Sequence, residues 1–187
     1  MSGMKKRIRS SSIRKWGWVF VFFILPCSWK GTGANCHAQD ANYKAYTVFL
    51  YNFIKYIEWP DQSNDFIIGV VGDSPIKKEL FLLAENKKAK GKKIIVRTIS
   101  TPDEASACNL IYIPSQKSSM LKPINEKVKG KPVLLVTERE GLAKKGAAIS
   151  FTVDDDDVLK FEINKSVLEL QNLKVTTLLV QLGTLVG

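Results

Sequence analysis

Four consecutive carboxylates, Asp154–Asp157, form a concentration of oxygen ligands in this 187-residue chain. Calcium takes several such oxygens, but a calcium loop alternates its ligands and needs a glycine, and this run has neither. A solvated hairpin tip is the better reading. Asp73 with Ser74, and Glu138 with Glu140, are residue types that do acid/base work. Spacing alone does not place two such groups on one substrate. The only histidine, His37, lies in a segment that reads as removed. Without it the chain has no Ser-His-Asp or Cys-His arrangement, and it lacks the commonest nitrogen ligand for zinc or copper. The sequence therefore predicts a protein that is not an enzyme and carries no metal or cofactor.

The removed segment is residues 1–38. Lys5, Lys6, Arg7, Arg9, Arg14 and Lys15 make a basic opening, Trp16–Pro26 an apolar run, and Ala38 a small residue at the cut. These are the marks of a secretory signal peptide. The apolar run is short of the roughly 20 residues that a membrane span needs. The expected destination is the periplasm. A lipid anchor fits poorly, since Pro26 precedes Cys27 and Asn35 precedes Cys36; an uncleaved anchor is the other alternative.

Export changes the charge and the cysteines. The whole chain carries +10, but seven of its 28 Lys+Arg and none of its 18 Asp+Glu lie in residues 1–38. The remaining 21 basic and 18 acidic residues give +3, an ordinary surface that removes the case for nucleic acid. Cys27 and Cys36 leave with the signal, so Cys108 has no intramolecular partner. It reads as a buried thiol at the head of a strand, or as an intermolecular or redox-sensitive one.

Residues 39–187 fit one α/β domain, a mainly parallel sheet flanked by helices. Residues 41–58 read as a helix, because Tyr46, Phe49, Leu50, Phe53, Ile54 and Ile57 recur at three- and four-residue steps. Trp59-Pro60 ends it. Tyr43, Tyr51 and Tyr56 cannot all share that side, which leaves a partner-docking surface open. Phe66–Val71 suits a strand buried on both faces. Gly72-Asp73-Ser74-Pro75 breaks it, with Ser74 as N-cap and Pro75 opening a helix to residue 85. Lys87, Lys88, Lys90, Lys92 and Lys93 precede a strand at 94–99. That run is a solvated face or a contact for lipid headgroups or an acidic partner. Thr101-Pro102 opens a short turn or helix. Strands follow at 109–113 and 132–137, around a polar helix at 116–128 that Pro123 cuts into. Residues 148–153 and 158–163 read as a hairpin on the sheet edge. Asn164 caps a helix from Lys165, and 174–186 reads as a final helix.

In that order, FLYNFIKYIEWP at 49–60, FIIGVVGDSP at 66–75, CNLIYI at 108–113 and LKFEIN at 159–164 resemble the YfiR-like family, known earlier as a domain of unknown function. The resemblance covers nearly all of residues 39–187. It implies a compact α/β domain, export to the periplasm, and repression of a membrane diguanylate cyclase by binding its periplasmic sensor region. It supplies no catalytic set. Members like the namesake carry several cysteines in disulfides, and with Cys108 alone a switch based on an internal disulfide is not expected here.

Two functions follow. The first is an exported regulator that represses or modulates a membrane-bound signalling protein, of diguanylate cyclase or sensor kinase type. Its contact residues, or those shaping the contact surface, would be Tyr51, Phe53, Tyr56, Trp59, Glu162 and Asn164, with Phe53 the nearest to simple core. Aromatic side chains supply large contact area at interfaces. The second is a periplasmic small-ligand domain without a protein client. Its crevice would lie at the carboxyl ends of the strands, at Gly72, Asp73, Ser74, Pro114, Ser115 and Glu138. A homodimer remains open, and neither nucleic acid nor membrane insertion after cleavage is expected.

Overall fold

The computed structural model describes residues 34–60 and 65–187. Its first element is helix α1, Ala34–Tyr56. Tyr43, Thr47, Leu50, Phe53 and Ile54 are buried along one side of it, while Lys44, Val48 and Lys55 face solvent. The helix ends two residues short of the expected Glu58. Ile57–Glu58 instead forms a two-residue strand, β1. The signal-peptide reading lies outside the described residues except for Ala34–Ala38, which are the opening residues of α1. Among the described residues no helix is long and apolar enough to cross a membrane.

The chain continues through β2 (Phe66–Val71), α2 (Ile76–Asn86), β3 (Lys88–Ala89), β4 (Lys92–Ile99) and β5 (Leu110–Ile113). Then come α3 (Leu121–Val128), β6 (Leu134–Thr137), β7 (Ile149–Val153) and β8 (Leu159–Ile163). Last are α4 (Lys165–Leu170), β9 (Lys174–Val175), α5 (Thr177–Leu182) and β10 (Thr184–Leu185). Eight strands form one sheet in the order β10-β8-β7-β6-β5-β2-β4-β3. The run from β4 to β7 is parallel. β8 turns back antiparallel on β7, Ile149 opposite Ile163 and Val153 opposite Leu159. β1 and β9 make a separate antiparallel ribbon. The expected class, an α/β domain on a mainly parallel sheet, is the observed one.

The central strands are apolar throughout because both faces of the sheet are covered. Ile68, Val70, Leu110, Tyr112, Leu134, Val136, Phe151 and Phe161 turn toward α1. Val71, Ile111, Ile113 and Leu135 turn the other way, toward α3 and the 3-10 turn at Pro102–Ala107.

Several local expectations change. The hairpin is one strand in from the edge, since β10 pairs parallel to β8 outside it. The final helix is three pieces, β9, α5 and β10; Lys174–Val175 is taken up by pairing with β1. The helix expected at 116–128 begins as a 3-10 turn, Ser115–Met120, and Pro123 sits in the first turn of α3, where its missing N–H has no partner to lose. Ser74 makes no side-chain cap. Pro75 already has helical angles (φ −59°, ψ −23°), and the Ser74 carbonyl accepts from Lys77 N–H at 3.2 Å.

Candidate functional site

The carboxyl ends of β2, β5 and β6 meet where the chain, having placed β4 on one side of β2, crosses to place β5 on the other. Such a switch point is where open α/β sheets hold ligands. Gly72 leaves β2 with φ +70°, and a Cβ there would come within 2.9 Å of Lys117 Cε. Lys117 therefore lies over the turn, and the turn needs glycine. Asp73 is exposed and pairs with Lys77 at 2.5 Å; that ammonium holds its carboxyl below the ordinary value. The Ser115 N–H donates to Glu138 Oε2 at 2.8 Å, and the Glu138 N–H donates to Ile113 O at 3.0 Å. These reciprocal bonds tie the end of β5 to the end of β6.

Three tyrosines missed as site residues stand beside Glu138. Tyr43 and Tyr46 come from α1 and Tyr112 from β5; the Tyr46 ring centroid is 6.1 Å from Tyr43 and 6.5 Å from Tyr112. Burial, then the Glu138 charge, pushes all three phenols above their ordinary pKa, Tyr112 the furthest. They stay protonated at neutral pH and can donate a hydrogen bond but not accept a proton. The Tyr112 hydroxyl is buried without a well-formed hydrogen bond, as are those of Ser74 and Thr47. The signal available in the sequence was a hydroxyl-bearing ring inside the otherwise aliphatic run of β5.

The six expected partner residues do not form one patch. Phe53 is fully buried, its ring 5.0 Å from Phe161 and 5.9 Å from Phe151. It shapes α1 from beneath and offers no surface of its own. Asn164 is also buried. Its Oδ1 accepts from Val167 N–H at 3.1 Å, and its Nδ2 donates to Ala143 O at 2.9 Å, so it caps α4 and pins the preceding loop. Glu162 alternates with Phe161 and Ile163, which face α1, so it points to the opposite side of the sheet. Tyr51, Tyr56 and Trp59 remain partly exposed along the end of α1 and β1.

Trp59 anchors the amino end of the sheet. Its Nε1 donates to Asn109 O at 3.2 Å, and its ring stands edge-on to Phe66 at 5.1 Å. Lys90 donates to Ile57 O at 2.7 Å and lies 5.9 Å from the indole centre. Beside it a groove of about 490 Å³ is lined by Glu58, Trp59, Pro60, Glu169, Asn172, Leu173 and Lys174. This groove is at the opposite end of the strands from the tyrosines.

The Asp154–Asp157 run closes the β7–β8 turn. Asp154 Oδ1 accepts from the N–H groups of Asp156 (3.1 Å) and Val158 (2.8 Å), and Oδ2 meets Lys160 at 2.7 Å. Among the described residues no group of three His, Cys, Asp or Glu is placed to hold a metal. Cys108 is free and buried, ahead of β5. Desolvation pushes its thiol up to about 11.

Over the described residues fold and geometry define a single α/β domain, with an aromatic helix on one face of a mainly parallel sheet and a groove at the strands' amino ends. The chain belongs to the YfiR/HmsC-like family, whose model matches residues 43–184. Members of that family are known in periplasmic regulation of signalling. Among curated proteins nothing matches the chain. Of solved structures, an ABC domain from Streptococcus pneumoniae in complex with L-Trp is similar at 13% identity and TM-score 0.50. The match covers 73% of this chain and 59% of that one. A conserved domain protein from Vibrio cholerae is similar at 14% identity and TM-score 0.48, over 76% of this chain and 59% of that one. This chain thus spans about three fifths of each. At these identities the likeness concerns the fold alone.

Proposed function

We propose that this protein is an exported, non-catalytic regulator that holds a membrane-bound signalling protein in one state by binding its periplasmic region. A diguanylate cyclase or a sensor kinase is the client type. The observation that carries this reading is the family match, which runs from the middle of α1 to the edge of β10. The carboxylates that suggested acid/base chemistry also have structural partners: Asp73 has Lys77, and Glu138 has the Ser115 N–H. On this reading Tyr56 and Trp59 touch the client, and regulation requires that the protein bind one state of it more tightly than the other. The test is a pulldown from solubilised membranes with the tagged protein, read by mass spectrometry. Enrichment of a membrane protein with a cyclase or kinase output is expected, and Trp59→Ala should weaken it. A folded bait that enriches no such protein, together with unchanged cyclic-di-GMP and kinase output after deletion, overturns the reading.

The groove beside Trp59, about 490 Å³, favours a second reading, a small-ligand domain without a client. A compound that raises the melting temperature with no partner present, and loses that effect in Trp59→Ala, would support it.

A further inference from the structure

Val48, Phe81 and Leu82 leave 60%, 50% and 48% of their surface in solvent. They stand on the outward sides of two helices that pack together over the same face of the sheet. On α1, Lys44, Val48, Tyr51 and Lys55 follow at steps of four, three and four residues, which places them on one helical face. On α2, Lys78, Phe81 and Leu82 face out while Ile76 and Leu80 are buried. The Tyr51 hydroxyl donates to the carbonyl of Lys88 at 3.4 Å. That contact brings Lys87 and Lys88 to the same side as the α1 stripe.

The face is basic and its charges are uncommitted. Lys44, Lys78, Lys87 and Lys88 are exposed, and no ion pair holds them among the described residues. Against these and Lys55, α2 carries two carboxylates, Glu79 and Glu85. A near-neutral surface elsewhere makes this local excess notable, since the chain from residue 39 carries only +3. None of the described cavities is lined by a residue of this face. It is an outer helical surface with apolar side chains at the centre and long ammonium arms at the rim. Lysine stems can lie along an apolar boundary while their heads reach phosphate. An apolar stripe bordered by lysines is the arrangement that lies in the plane of anionic headgroups.

We propose that the outer face of α1 and α2 docks on an anionic phospholipid surface, with Phe81 and Leu82 entering the headgroup boundary and the lysines meeting lipid phosphates. Docking would confine the protein to the plane of a membrane client and raise its effective concentration there. The inference does not depend on which client is bound.

The test is co-sedimentation of the exported protein, residues 39–187, with phosphatidylcholine vesicles, with and without phosphatidylglycerol; residues 1–38 are left off because their basic opening and apolar run would bind such vesicles by themselves. Each lysine near such a surface is worth roughly a fivefold gain in partitioning. Wild-type protein is expected to prefer the phosphatidylglycerol vesicles and to lose that preference as salt rises. The Lys78→Glu/Lys87→Glu/Lys88→Glu variant should lose at least about tenfold in binding. Phe81→Ser/Leu82→Ser should weaken binding while leaving the salt dependence. Lys122→Glu/Lys129→Glu, on the α3 side of the sheet, should bind as wild type does, which separates the patch from net charge. Circular dichroism checks that each variant is folded. Equal binding to both vesicle types, insensitivity to salt, or full binding by the triple-lysine variant overturns the proposal. So does a triple-lysine variant that loses capture of a membrane protein while the wild type ignores lipid, since the face would then fit an acidic protein surface.

Discussion

Beneath α1 the sheet meets rings; on its other side it meets methyl groups, a thiol and short 3-10 turns. Phe49 lies 5.5 Å from Phe161 and 6.0 Å from Phe151, and Tyr46 lies 4.6 Å from Phe151. With Phe53 these side chains tie α1 to the β7–β8 hairpin, far along the chain. The opposite face is packed with Ala105, Cys108, Ala147 and aliphatic side chains beneath α3. There the approach is close: a Cβ on Gly69 would come within 2.8 Å of both Cys108 Sγ and Ile99 Cγ1. One face gains stability from large surfaces that interlock, the other from small residues that let elements come near. The first tolerates little deletion and the second little addition.

Removing a ring from the α1 face should cost most. Phe53→Ala takes away a fully buried side chain held between Phe151 and Phe161. A loss of about 3–5 kcal/mol is expected in urea unfolding. A loss below about 1 kcal/mol would mean that the hairpin does not need α1. On the other face the damaging change is an insertion. Gly69→Ala should lose about 1–3 kcal/mol by overpacking against Cys108 and Ile99. Adding Cys108→Ala should return part of it, because one of the two clashing atoms is gone. No recovery in the double variant would place the strain at Ile99 alone.

Asn164 joins the two faces, and its effect should be smaller. Asn164→Ala removes the N-cap of α4 and the bond to Ala143 O. About 1–2 kcal/mol is expected. Asn164→Asp would keep the cap acceptor and lose the donor, so it should fall between wild type and alanine.

The α1 face was legible in the sequence because a long helix repeats its apolar residues every three or four positions, and β7 and β8 were readable as two strands around a polar turn, each with one ring, Phe151 and Phe161. The parallel strands were legible as short aliphatic runs between turns. What escaped has short-range or long-range causes that periodicity does not carry. β1, β3, β9 and β10 are two residues each, too short to show alternation, and β1 and β9 exist only through each other. The 3-10 turns over the second face have no 3.6-residue period. Trp59 and Tyr56 were recognisable as surface aromatics next to a helix end. Phe53, an aromatic less than one turn before Tyr56 on α1, is core, because burial depends on which side of the helix a position faces. Asn164 met the same limit, since its side chain is buried as the cap of α4, and Glu162 lies on the face of the sheet away from α1. The tyrosines beside Glu138 come together from positions 43, 46 and 112, a juxtaposition that the packing of α1 over β5 creates.

The smallest effect isolates the thiol of the closely packed face. Burial raises Cys108 to about 11 from its ordinary 9.0. The folded protein therefore holds that proton longer than the unfolded chain does. Its contribution to stability is complete below pH 9 and is lost as pH rises toward 11. By pH 10 the loss should reach about 1 kcal/mol. Tyrosines and lysines titrate in the same range, so the measurement is the difference between wild type and Cys108→Ala in urea midpoints from pH 8 to pH 10. Wild type should lose stability faster than the variant. In parallel, the native thiol should resist iodoacetamide at neutral pH and react once urea unfolds the chain, because the thiolate is the nucleophile. Parallel pH curves for the two proteins, or rapid alkylation of the folded one, would show that this face opens near Cys108. The contrast between a face held by rings and a face held by close approach would then need redrawing.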